Sequence, residues 1–156
     1  MKKIILLGLL FILFSSNSKP QGKISYQYVK GYQFVGAYED KNIFLTIQDA
    51  NEWANLFKPY PGHHVQTTPI DWQKSMVIAV VKYNNDAWNL EANTVELDEG
   101  ELVFEYQAKK TDDNLEWKNA STLIVVVPKG KYQAIKYLEN GNISHKIENF
   151  TGKRDY

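Results

Sequence analysis

Two uninterrupted apolar runs constrain the fold of this chain more than any other feature. Residues 76–81 (MVIAVV) and residues 123–127 (LIVVV) contain only apolar side chains. A strand with one solvated face alternates apolar and polar residues, whereas a short, continuous apolar run bounded by turns is typical of a strand covered on both faces. The sequence therefore predicts two central strands that are buried on both sides.

Other segments alternate, as expected for strands with one solvated face. Short strands are predicted at residues 24–28, 33–38 and 42–47. In the longer segment of residues 88–97, apolar residues recur every second position, with one slip of a single residue. These residues are Trp88, Leu90, Ala92, Val95 and Leu97. The slip predicts a β-bulge near residues 93–94. Glycine-containing turns at residues 98–100 and 139–142 predict two hairpins.

One helix is predicted, at about residues 49–58. Asp49 lies three residues before Glu52, which is the spacing of a capping box, and Pro59 is a stop signal. The apolar face of the helix consists of Trp53, Leu56 and Phe57. Many strands at regular spacing and a single helix predict an α+β fold with a mainly antiparallel sheet. We expect residues 24–150 to form one domain.

The first 18 residues have the pattern of a secretory signal peptide. Lys2 and Lys3 precede eleven apolar residues at positions 4–14, and small polar residues follow. A membrane-spanning helix needs about 20 apolar residues, so this run is too short to span and suits an export signal. We expect cleavage near Ser18 and an exported, soluble chain without a membrane anchor; an uncleaved anchor is the alternative.

Composition excludes several classes of function. The chain has 18 basic and 18 acidic residues, and removal of Lys2 and Lys3 leaves it slightly acidic, which is unsuited to nucleic-acid binding. It has no cysteine, so disulfides, thiolate metal sites and a cysteine nucleophile are impossible. We expect no cofactor.

Candidate metal and catalytic residues are sparse. His63 and His64 are adjacent in a Pro-rich loop and point apart on extended backbone, and His145 is distant in sequence, so no metal site is predicted. The serines Ser75, Ser121 and Ser144 lack a nucleophile motif. Most carboxylates fall in turns or at polar strand positions, where solvation explains them. The sequence therefore favours a non-enzymatic protein.

Aromatic residues supply the candidate binding site. Four tryptophans and ten tyrosines could form a recognition face, because flat rings give contact area at low entropic cost. Trp53 and Trp88 are in phase with apolar neighbours and are predicted to be core residues, whereas Trp72 and Trp117 lie beside turns and are predicted to be exposed. The candidate contact residues are Trp72, Tyr83, Trp88 and Trp117.

Several segments together resemble a known family. They are DANEWANLF at residues 49–57, PIDWQKSMVIAV at 69–80, ELVF at 101–104 and LIVVVPK at 123–129. Across residues 47–131 the chain resembles the C-terminal domain of the protease-complex stability subunit family (PrcB-like). The resemblance departs at residues 84–88, where Asn-Asn-Asp-Ala-Trp stands in place of a Gly-Gly-Tyr opening.

The resemblance implies an exported, non-enzymatic accessory subunit that binds a protein partner, with a protease as the candidate. Such a domain can bind through an exposed edge strand or through an aromatic patch. The alternative from the residues alone is a carbohydrate-binding or cell-envelope surface module, in which exposed rings stack on sugars.

Overall fold

A computed structural model describes residues 21–37, 42–62, 66–148 and 150 of the 156-residue chain. The strands and the helix of these residues are, in chain order, β1 (Gly22–Lys23), β2 (Gln27–Tyr28), β3 (Tyr32–Phe34), β4 (Asn42–Ile47), α1 (Ala50–Leu56), β5 (Phe57–Pro59), β6 (Ser75–Asn84), β7 (Ala87–Asp98), β8 (Glu101–Asp112), β9 (Asn119–Pro128), β10 (Ala134–Glu139) and β11 (Asn142–Glu148). The predicted α+β class is confirmed. The predicted leader at residues 1–18 and the pair His63 and His64 lie outside the described residues.

The strands form two main sheets and one two-stranded pair. The five-stranded sheet has the order β1-β7-β8-β10-β11, the four-stranded sheet has the order β2-β9-β6-β4, and β3 pairs with β5. The pairs are antiparallel, as predicted, except that β10 runs parallel to β8.

The four-stranded sheet is the middle layer, which explains the two apolar runs. On β6 the side chains of Met76, Ile78 and Val80 join the core shared with the five-stranded sheet. The alternate residues Val77, Ala79 and Val81 join a second core against α1 and the β3–β5 pair. Strand β9 pairs with β6 over its whole length and is divided in the same way, so both predicted central strands are confirmed.

Helix α1 begins as its sequence predicts and ends earlier. A carboxylate oxygen of Asp49 accepts hydrogen bonds from the backbone N–H groups of Asn51 and Glu52, each at 2.9 Å. The predicted end near residue 58 is wrong. Phe57 is extended and buried and pairs with Phe34 of β3, because the sheet pairing and the second core outweigh continuation of the helix.

The bulge and both hairpins are confirmed. The register between β7 and β8 shifts between Ala92 and Thr94, which returns the apolar residues to the inner face. At this shift the hydroxyl of Tyr28 accepts a hydrogen bond from the Ala92 N–H at 3.1 Å, and the hydroxyl of Tyr26 donates to the Ala92 carbonyl at 3.1 Å. Gly100 and Gly141 have φ of 86° and 81° in the two hairpin turns.

The predicted first strands are only partly right. Residues 24–28 do not form one strand: the chain pairs with β7 as β1, crosses the side of the sandwich, and pairs with β9 as β2. The alternation of apolar residues there comes from Ile24 and Tyr26 packing on the core between the sheets. In the next segment β3 covers Tyr32–Phe34, and Tyr38 lies outside the described residues.

Candidate functional site

The four candidate aromatic residues lie at two opposite ends of the sandwich. Trp72 is in the turn that precedes β6, whereas Tyr83 is near the other end of β6 and Trp88 is near the start of β7, just after the turn that follows β6. Trp117 comes two residues before β9, whose first residue pairs with Asn84 at the same far end. Ten strand residues span roughly 30 Å, so Trp72 cannot share a contact surface with the other three.

Trp72 is half-buried, so its predicted exposure is wrong. Its ring lies against that of Trp53, with centroids 6.0 Å apart, and belongs to the second core. The neighbouring Asp71 stabilises the turn, since its carboxylate accepts from the Gln73 N–H at 3.0 Å and its carbonyl from the Ser75 N–H at 2.9 Å. The acidic–aromatic pair at residues 71–72 therefore has a structural role.

We expect Trp72→Ala to lower the free energy of unfolding by about 1 to 3 kcal/mol, because it removes a half-buried ring from a packed aromatic cluster. Trp117→Ala is the matched control and is expected to change it by less than about 0.5 kcal/mol. Urea denaturation of both variants measures the difference. Equal stability of the two would show that the Trp72 ring does not contribute to the core.

The rings of Tyr83, on β6, and Trp88, on β7 of the other sheet, lie on opposite sides of the four-stranded sheet. The Trp88 ring packs between the two sheets, where the Lys82 ammonium lies 4.2 Å from its centroid and its indole N–H donates to Asn84 at 3.4 Å. Tyr83 lies between Lys82 and Asn84 on β6, so its side chain projects from the opposite face of the four-stranded sheet. There the Lys118 ammonium is 5.7 Å from its ring. The two rings therefore do not form one patch.

A buried polar network surrounds Trp88. Lys82 is 4% exposed, and its ammonium donates to Glu139 at 2.8 Å. The second carboxylate oxygen of Glu139 accepts from the Tyr106 hydroxyl at 2.8 Å. Burial raises the pKa of Tyr106 well above its ordinary value, so this hydroxyl stays protonated and remains a donor. The network joins β6 of one sheet to β8 and β10 of the other.

A second cation lies near Trp88 at the sandwich end. The ammonium of Lys110 is 5.5 Å from the ring centroid and 2.9 Å from a carboxylate oxygen of Asp86. The hydrogen bond from Lys110 lowers the pKa of Asp86 below its usual value. Because two lysines and Asn84 contact the Trp88 ring, its role here is to organise this end of the sandwich.

Trp117 is the exposed ring of the four, with 65% of its surface accessible. It lies in the Trp117 loop, residues 113–118, which is anchored to the turn between β6 and β7. The Leu115 N–H donates to the Asn85 carbonyl at 2.7 Å, and the Asn85 side chain donates to the Leu115 carbonyl at 2.9 Å. The Asn114 N–H also donates to Asp86 at 3.4 Å. The exposed ring is therefore carried by a fixed backbone.

Two of the candidate serines and His145 have structural partners. The Ser121 hydroxyl is buried and accepts from the Trp88 N–H at 3.0 Å, and the Ser144 hydroxyl donates to the Tyr137 carbonyl at 2.9 Å. The ring of His145 stacks on Phe44 with centroids 4.7 Å apart. In the part of the chain that the structure describes, no group of three or more His, Cys, Asp or Glu residues could hold a metal ion.

The described residues contain no helix that is both long enough and apolar enough to cross a membrane. Their single helix, α1, has seven residues.

Comparisons with known proteins add no identification: no family model matches the chain, and neither a curated protein nor a solved structure matches it. The resemblance to the protease-complex stability subunit family therefore stays a prediction.

The polar network of Lys82, Glu139 and Tyr106 was not predicted from the sequence. One signal was present, because Lys82 follows the apolar run 76–81 in phase with Val80 and Ile78, which places it on an inward-facing position. A charged residue at such a position indicates a buried ion pair. The partner Glu139 is distant in sequence and could not be identified from spacing.

Proposed function

We propose that this chain is an exported, non-enzymatic accessory protein that binds a protein partner through the surface around Trp117. A protease complex is the candidate partner, which rests on the family resemblance. The observation that supports the proposal is the 65% exposure of a tryptophan on a loop held by three hydrogen bonds to the neighbouring turn.

An exposed, anchored tryptophan is well suited to protein recognition. Tryptophan is enriched among the residues that contribute most to binding at protein interfaces, because one ring buries a large area in a partner's pocket. Binding by a flexible loop loses conformational entropy, whereas a loop already fixed by hydrogen bonds loses less. The clamp between Asn85 and Leu115 gives the Trp117 loop this advantage.

The edge strands β4 and β11 are less suited to binding by strand addition. Strand β11, at one edge of the five-stranded sheet, has an irregular register against β10, and its Lys146 pairs with Glu101 at 3.1 Å and Glu148 at 2.8 Å. Bulges and charges are devices that keep edge strands from pairing. On edge strand β4 the Leu45 carbonyl already accepts from the Tyr137 hydroxyl at 2.9 Å. An aromatic contact is therefore the better supported mode.

We expect Trp117→Ala to weaken partner capture by about 10- to 30-fold, the effect of losing a central aromatic contact. The purified wild-type chain and the variant are immobilised and exposed to extract of the producing cell, and the retained proteins are quantified by mass spectrometry. Tyr60→Ala is the matched control, because Tyr60 is also an exposed aromatic residue, 49% accessible, and follows β5 in a different part of the fold.

The expected result is one reproducible protein, with a protease domain in it or in its complex, that wild type and Tyr60→Ala retain equally and Trp117→Ala loses. Retention of envelope glycans with no protein partner would contradict the proposal and favour the carbohydrate-binding alternative. Equal loss in both variants would show that Trp117 has no special role.

A further inference from the structure

The turn between β10 and β11 contains an asparagine whose side chain acts as part of the sheet. The backbone N–H of Asn140 donates to the Tyr106 carbonyl at 2.9 Å. Its side-chain oxygen accepts from the Ala108 N–H at 3.0 Å, and its side-chain NH₂ donates to the Ala108 carbonyl at 3.1 Å. The amide thus extends the parallel pairing of β10 with β8 beyond the end of the backbone ladder.

The same asparagine precedes glycine, which is the arrangement most open to intramolecular attack. Gly141 has no side chain to shield its backbone nitrogen, and an added Cβ would meet nothing within 4 Å, so the turn is open to solvent. The two hydrogen bonds to Ala108 oppose this reaction. The Asn140 side-chain amide must turn away from these partners before the Gly141 nitrogen can attack it.

We propose that Asn140 is a site of spontaneous deamidation that the native sheet protects and that local opening of the β10–β11 hairpin exposes. The Gly141 nitrogen loses its proton and forms a bond to the Asn140 side-chain carbonyl carbon. The bond from that carbon to the side-chain nitrogen breaks, and ammonia leaves. Water then opens the cyclic imide to an aspartyl or an isoaspartyl residue, with no oxidant or reductant involved.

The product does not restore the native contacts. A carboxylate has no N–H to donate to the Ala108 carbonyl, so two acceptors face each other. The isoaspartyl product also lengthens the backbone at the turn and shifts the pairing of β10 with β11. The neighbouring residue Glu139 is the partner of the buried Lys82, so the damage reaches the network between the sheets. Deamidation at this turn records that a molecule has opened.

The test incubates the purified protein at mildly alkaline pH, either native or in denaturant, and follows modification by peptide mass spectrometry and isoaspartyl detection. We expect deamidation at Asn140 to be at least about tenfold slower in the native protein, because opening of the hairpin limits it. Asn142, which precedes isoleucine, is the internal control and should react slowly in both samples. Equal rates at Asn140 in both samples, or no product there in denaturant, would overturn the proposal.

A product mimic tests the role of the amide directly. Asn140→Asp is expected to lower the melting temperature by about 3 to 8 °C through loss of the contacts with Ala108. Asn142→Asp is the matched control: the Asn142 side chain is exposed and its N–H donates to the Asn140 carbonyl at 3.3 Å, so its replacement should change the melting temperature little. Equal shifts in the two variants would show that the Asn140 amide is not part of the sheet.

Discussion

Glu139→Ala is expected to lower the free energy of unfolding by about 3 kcal/mol, because it leaves the Lys82 ammonium buried without a counter-charge. The lysine is 4% exposed and its ammonium lies 2.8 Å from Glu139, while the Tyr106 hydroxyl loses its carboxylate acceptor in the same change. The Trp88 ring, 4.2 Å from the ammonium, cannot replace a carboxylate. Chemical denaturation followed by tryptophan fluorescence measures the change.

The control is the double variant Lys82→Met with Glu139→Leu, which replaces the ion pair by apolar side chains. Removing both charges also removes the need to compensate either one, so the double variant is expected to be clearly more stable than Glu139→Ala. A double variant as unstable as Glu139→Ala would show that packing at this end of the sandwich, and not the unpaired charge, accounts for the loss.

Gly31→Ala is expected to destabilise the fold by about 2 to 4 kcal/mol, from backbone strain and steric clash together. Gly31 has φ of +85°, and a Cβ there would lie 2.6 Å from the Gln66 carbonyl oxygen and 3.0 Å from the Thr67 Cα. Both obstacles are backbone atoms, and the segments are tied by hydrogen bonds between Lys30 and Thr68, so neither can move aside cheaply. Thermal unfolding measures the loss.

Gly141→Ala separates the two causes. Gly141 has nearly the same φ, +81°, but nothing lies within 4 Å of an added Cβ. This variant therefore reports the cost of the left-handed conformation alone, about 1 kcal/mol, and the remainder of the Gly31→Ala effect reports the close approach. If both variants lose the same stability, the close approach of residues 30–31 to residues 66–68 does not contribute.

Most of the strand architecture could be predicted because it depends on local patterns. The continuous apolar runs identified β6 and β9 as central strands, and the phase slip identified the bulge between Ala92 and Thr94. What failed depends on long-range contacts. Residues 24–28 alternate like one strand, yet they cross between sheets because Ile24 and Tyr26 pack on the core from the side. The parallel pairing of β8 with β10 likewise has no local signal.

The candidate site was predicted less completely than the fold. Proximity to a turn correctly indicated the exposure of Trp117, but the same argument failed for Trp72, whose ring packs on Trp53 from a distant helix. The sequence also placed Tyr83 and Trp88 in one group, although alternation along β6 turns Tyr83 away from Lys82, which contacts the Trp88 ring between the two sheets. The clamp between Asn85 and Leu115 joins two turns 30 residues apart and could not be read from spacing.

Contact between the surface around Trp117 and a protein partner is tested most directly by placing a photo-crosslinking amino acid at position 117 in the producing cell. A probe at position 60 is the matched control, because Tyr60 is also an exposed aromatic residue. We predict one dominant protein adduct that forms from position 117 and not from position 60. Adducts of the same identity and yield from both positions, or no adduct from position 117 when the chain is expressed and folded, would contradict this account.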